Sequence, residues 1–140
     1  MNRENVQTVR DAIAAAPPEE FNYNHFFSDV RNGRSPSCPE VIPKPHCGTA
    51  GCVAGWTLML FRIEADSRGE SWEVAVQRLL GIDYATYCNL CYRQCGSADR
   101  EAALARLDHL LQHGNLRDYD FHREWMECHG RACAEERQRA

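Results

Sequence analysis

Lysine is almost missing from this chain: Lys44 is the single one among 16 basic residues. A phosphate-gripping Gly-x-x-x-x-Gly-Lys-[Ser/Thr] loop is therefore excluded. Basic excess is missing too, with a net charge of -4 and a pI of about 5.8. Without a basic face to displace counterions from phosphates, general nucleic-acid binding is not expected, nor is electrostatic membrane anchoring. Long apolar runs are lacking. The longest, Cys52 to Phe61, is far short of the ~20 residues that cross a bilayer. Asn2, Arg3, Glu4 and Asn5 open the chain with no apolar run behind them, so no secretory leader is expected and the reading is cytoplasmic. The His-rich or Glu-bearing signatures of catalytic metals are absent. Gly48 and Gly51 follow no predicted strand, which leaves no dinucleotide-binding pattern.

Cysteine, by contrast, is abundant, with eight in 140 residues. That is below the ~8–10% of small secreted disulfide scaffolds. In a chain without a leader, the eight read as reduced thiols: core fillers, metal ligands or reactive groups. The length suits one domain with its own core.

Apolar spacing predicts helices throughout. Asn2 caps a first one carrying Val6, Val9 and Ile13, and Pro17-Pro18 ends it. Phe21, Tyr23, Phe26 and Phe27 form an aromatic cluster, with a short extended piece at Phe21 to Tyr23. Residues 31 to 46 are a long loop punctuated by Gly33, Pro36, Pro39, Pro43 and Pro45, of the kind that serves as a binding loop or lid. A helix from Thr49, as N-cap, to about Glu64 is apolar nearly all round, which predicts a buried central helix. Ser71 caps a third helix that stops at Gly81, and Asp83 a fourth that ends at Gly96. A fifth, begun by Ser97 or Asp99, carries a stripe of Ala103, Leu104, Leu107, Leu110 and Leu111 up to Gly114. Asp118 or Asp120 opens the last, weakened at Gly130, with Glu135 to Ala140 a frayed tail.

The string Cys47-Gly48-Thr49-Ala50-Gly51-Cys52-Val53-Ala54-Gly55-Trp56 resembles the Cys-Gly-Thr-x-x-Cys-[Ile/Val]-Ala-Gly-[Trp/His] signature of small proteins from bacteria and their phages. Two weaker flanks resemble that family as well: Phe21-Asn22-Tyr23 upstream and Leu80-Gly81-Ile82 downstream. The Leu-rich helix around Leu104 to Leu111 also fits. The resemblance spans roughly residues 4 to 112. It implies a phage or prophage setting rather than a defined activity, and it makes residues 115–140 an appended helix and tail.

Three chemistries are open to these residues. At a helix start, free N–H groups and the helix dipole favour an anion. Cys47, Gly48, Thr49, Ala50, Gly51 and Cys52 can thus form a cradle for a phosphate or carboxylate, lidded by residues 31–46 with Arg31, Arg34 and Lys44. The same field lowers a thiol's pKa, so Cys47 or Cys52 can be a nucleophile with His46 as base. His25 and His122 serve only if the fold brings them near. Alternatively, both thiols are small buried residues that allow close packing. Metal binding is the third chemistry. Cys91 and Cys95 are four apart on one predicted helix, and His129 and Cys133 on another, so together they can make a tetrahedral Cys₃His zinc site with Cys88 as a spare ligand. His109 and His113, also four apart, read as a solvated pair.

The sequence thus predicts an all-α domain of about six helices around a buried one. Its leading functional reading is a non-enzymatic binding or interaction protein that engages a host protein or a small anionic ligand. A cysteine-thiolate enzyme and a zinc-stapled module are the alternatives.

Overall fold

A computed structural model of the chain describes residues 1–21, 28–29, 49–50, 52–66, 69–91 and 100–139. Helix α1 (Arg3–Ala15) begins where the Asn2 side chain accepts from the Asn5 N–H, and it buries Val6, Val9 and Ile13 at helical spacing. It ends at Ala16, whose extended ψ of 150° is the conformation a following proline imposes. A 3-10 turn, Pro18–Glu20, leads to Phe21, which is extended and 3% exposed. The Tyr23, Phe26 and Phe27 part of the aromatic cluster lies outside the described residues.

The fold is all-α. Among the described residues, the β structure consists of one antiparallel ladder, β1 (Ser28–Asp29) on β2 (Thr49–Ala50), with Ser28 opposite Ala50, and the bridge residue Phe21. This ladder corrects the expected start of the second helix. Thr49 is a strand residue and no cap. Cys52 is extended (φ -76°, ψ -178°), and α2 runs only over Val53–Leu60. Its far end is also earlier than expected. Thr57 Oγ1 donates to the Val53 carbonyl at 2.8 Å, a back-bond that bends helices. Phe61 leaves helical geometry (φ -113°, ψ 37°) before α3 (Arg62–Asp66) resumes it.

Every residue from Val53 to Met59 is buried. Helix α2 packs on α1, α3, α4 (Trp72–Leu80) and α5 (Tyr84–Cys91). Ser71 Oγ caps α4 by accepting from the Val74 N–H, and Asp83 Oδ1 caps α5 by accepting from the Thr86 N–H. At Gly81 the chain turns left-handed (φ 64°), and the Ile82 N–H closes the turn on the Gln77 carbonyl at 3.0 Å. The Asn2 N–H binds the Leu80 carbonyl at 2.8 Å beside this turn, so the N-terminus is docked against the end of α4.

Helix α6 (Arg100–His113) lays Ala103, Leu107, Leu110 and Leu111 into the core and packs on α1. Arg100 donates to the carbonyls of Ala14 and Ala16, giving the end of α1 the cation its own last turn lacks. After Gly114 (φ 78°), a short connection buries Leu116, and Asp120 caps α7 (Phe121–Arg139) through the Arg123 N–H. The expected frayed tail is instead the last turns of α7, which continues through Gly130. Ala134, Glu135, Glu136, Arg137, Gln138 and Arg139 are all strong helix formers.

Candidate functional site

Among the described residues, the start of α2 is closed off from solvent. Cys52 is 5% exposed, and Val53 and Ala54 are buried with it. The Gly55 N–H points to Cys52 Sγ at 3.5 Å, so the thiol takes the capping role expected of Thr49. Burial pushes this thiol up, against the lowering hydrogen bonds from Gly55 and Ala54. The expectation of a low-pKa thiolate at Cys52 is therefore corrected. The helix N-terminus is present, but desolvation of the charged form outweighs it. Thr49 and Ala50 are strand residues at this point. Arg31, Arg34, Lys44, His46, Cys47, Gly48 and Gly51 lie outside the described residues, as does His25.

Cys91 is buried too, and its thiol is pushed well up by burial and by the neighbouring Cys52. Cys88 is half-buried one helical turn earlier. Of the expected zinc ligands, Cys95 and the side chains of His129 and Cys133 lie outside the described residues. Among the described residues, no group of three or more His, Cys, Asp or Glu is arranged around a common point.

The most concentrated polar chemistry lies between α6 and α7, and no sequence motif announces it. Arg106 is fully buried on the α6 face that also carries Leu107 and Leu110. Its guanidinium forks onto the carboxylate of Glu124, which is 6% exposed, with Nε 2.9 Å from Oε2 and Nη2 on Oε1. Its Nη1 donates to the Asn89 carbonyl on α5 at 3.1 Å. The Phe121 ring lies 5.2 Å from the guanidinium carbon. Tyr119 donates its hydroxyl to Glu124 Oε2 at 2.5 Å, and burial first, then this bond, pushes its phenol well above the ordinary value. A buried arginine without a partner would be untenable. Here its charge is matched and most of its donors are used.

Around this pair the two helices leave a groove. One stretch, of about 490 Å³, is lined by Glu101, Ala102, Ala105, Tyr119, Glu124, Glu127, Gly130, Arg131 and Ala134. A second, of about 340 Å³, shares Ala105, Tyr119, Glu124 and Glu127 and runs on to His109, Asp118, Asp120 and Arg123. Arg131 bridges the groove to Glu101, and Arg123 pairs with Glu127 along α7. The lining carries more carboxylates than cations, so it suits a cationic or amide-bearing group better than an anion.

On α7 itself, Trp125 is 39% exposed and Met126 53% exposed, and the His122 ring stacks at 6.4 Å on the Trp125 ring. His122 is thus an exposed residue of the first turn of α7. The sequence did contain a signal for this region: Trp125 and Met126 stand side by side in a helix rich in charged residues. No model of a protein family, no curated protein and no solved structure matches the chain.

Proposed function

We propose that the chain is a non-enzymatic interaction protein of the small accessory kind that phages and prophages carry, and that its contact surface is the outer face of α7. The observation that carries this reading is the adjacent pair Trp125 and Met126, large apolar side chains left partly exposed on a helix whose inner face is tied to α6 by the Arg106–Glu124 pair. Tryptophan and methionine are over-represented at the centres of protein interfaces, where a rigid ring and an adaptable thioether supply contact area. Two further features point the same way. The acidic lining of the α6–α7 groove turns the preference from a small anion to a protein partner. The raised thiols of Cys52 and Cys91 are poor nucleophiles at neutral pH. The phage setting rests on the likeness of Cys47–Trp56 to the signature described above.

The test compares the wild-type chain with a Trp125→Ser/Met126→Ser variant as bait in a bacterial lysate. Circular dichroism first establishes that both melt at the same temperature. A protein retained by the wild type and lost at least tenfold with the variant supports the reading. Identical retention by both baits overturns it.

A further inference from the structure

His109 and His113 stand four residues apart at the end of α6, and their ring centroids are 4.2 Å apart at an interplanar angle of 39°. The expectation of a solvated pair holds only for His113, which is exposed. His109 is half-buried, with its ring edge-on to Tyr119 at 5.3 Å. Its Nε2 is buried and has no hydrogen-bond partner among the described residues. A ring nitrogen in that position costs free energy unless something satisfies it.

We propose that His109 and His113 form a two-imidazole site for a borderline divalent transition ion of the Zn²⁺, Ni²⁺ or Cu²⁺ class. Imidazole nitrogens suit these ions, and i,i+4 spacing on a helix places two of them on one face. Rings already in contact need only side-chain rotation to bring one nitrogen each to ~2.0–2.1 Å from a shared ion. His113, exposed in the last turn, has the freedom to make that rotation. The orphaned Nε2 of His109 supplies the second lone pair and gains the partner it lacks.

In the adjoining groove, Asp118 and Asp120 stand beside the Arg123–Glu127 and Arg106–Glu124 pairs. No third protein ligand is arranged there among the described residues, so water completes the coordination. The site is separate from the Cys91, Cys95, His129 and Cys133 set and shares no residue with it. Bound there, an ion clamps the last turn of α6, and it stabilises the folded chain by mass action.

The experiment titrates the reduced, full-length chain with zinc chloride. The ions bound per chain are counted by native mass spectrometry and the melting temperature is followed, for the wild type, His113→Asn and His109→Asn. His113 is exposed, so His113→Asn folds normally and is the decisive variant. The expected result is one ion fewer per chain in each variant, and at least a tenfold loss of affinity at the site lost. Imidazole ring signals of both histidines should also shift with zinc in the wild type. Equal ion counts and equal affinities in wild type and His113→Asn overturn the proposal, whether the ions then sit on thiols or nowhere. Unshifted ring signals overturn it equally.

Discussion

At the scale of single residues, the Arg106–Glu124 pair shows how far side-chain chemistry can lie from what residue type suggests. An arginine in a Leu-rich stripe reads as a solvent-facing interruption, yet Arg106 is fully buried. It can be so because Glu124, eighteen positions later, supplies the counter-charge, and Tyr119 binds that carboxylate in turn. Spacing within α6 carries no trace of this partner, which is why the site was illegible in the sequence. The energetics are asymmetric. Replacing Glu124 with Leu leaves a buried, uncompensated guanidinium, and the expected loss is about 3–5 kcal/mol in urea unfolding. Arg106→Met/Glu124→Leu removes both charges and keeps most of the volume, so it should recover more than half of that loss. If the double variant is as unstable as Glu124→Leu alone, the pair's role is packing and not charge compensation. Cys52 shows the opposite case. Its position near a helix start was legible, but the burial that raises its pKa was not, because burial is set by tertiary packing, which brings Cys91 of α5 close to it.

Helices and their ends were the most legible elements. The caps Asn2, Ser71 and Asp83, the stops at Gly81 and Gly114, and the apolar faces of α1 and α6 follow from local hydrogen bonding and period alone. The start of α2 was misread because Thr49 is drawn into a ladder with Ser28–Asp29, a long-range pairing that outweighs the local capping preference. Gly81 carries an elemental prediction of its own. Its φ of 64° already disfavours any side chain, and a Cβ there would lie 2.7 Å from the Asn2 backbone nitrogen. Gly69 has almost the same φ, 63°, with nothing within 4 Å of a Cβ. Gly69→Ala should therefore cost only the left-handed penalty, about 1 kcal/mol. Gly81→Ala should cost at least about 2 kcal/mol, because α1 must also move away from α4. Amide exchange at Asn2 should rise in Gly81→Ala and stay unchanged in Gly69→Ala, since only the first disturbs the Asn2 bond to Leu80. Equal destabilisation by both would show that backbone strain alone sets the cost.

For the whole molecule, the question is how far residues 115–140 belong to the core they follow. Most of α7 is exposed, as an added segment would be. Its first turn and the connection before it are different: Leu116 is 2% exposed, Phe121 covers the Arg106 guanidinium, and Glu124 neutralises it. Arg106 in turn holds the Asn89 carbonyl of α5, so one side chain joins α5, α6 and α7. Two truncations separate the halves of α7. A chain ending after Glu127 keeps Leu116, Tyr119, Phe121 and Glu124 and, among the described residues, should lose only exposed ones and the Arg131–Glu101 bridge. That bridge is exposed and contributes about 0–1 kcal/mol, so the melting temperature should fall by a few degrees at most. A chain ending after Asp118 leaves Arg106 without its carboxylate, and its unfolding free energy should drop by about 3–5 kcal/mol. Adding Arg106→Met to that shorter chain should restore part of the loss, since no buried charge then remains to be compensated. If the shorter truncation melts like the full chain, α7 is an independent appendage and the Arg106–Glu124 pair does not bind it to the core. If both truncations unfold alike, stability resides in the outer turns of α7.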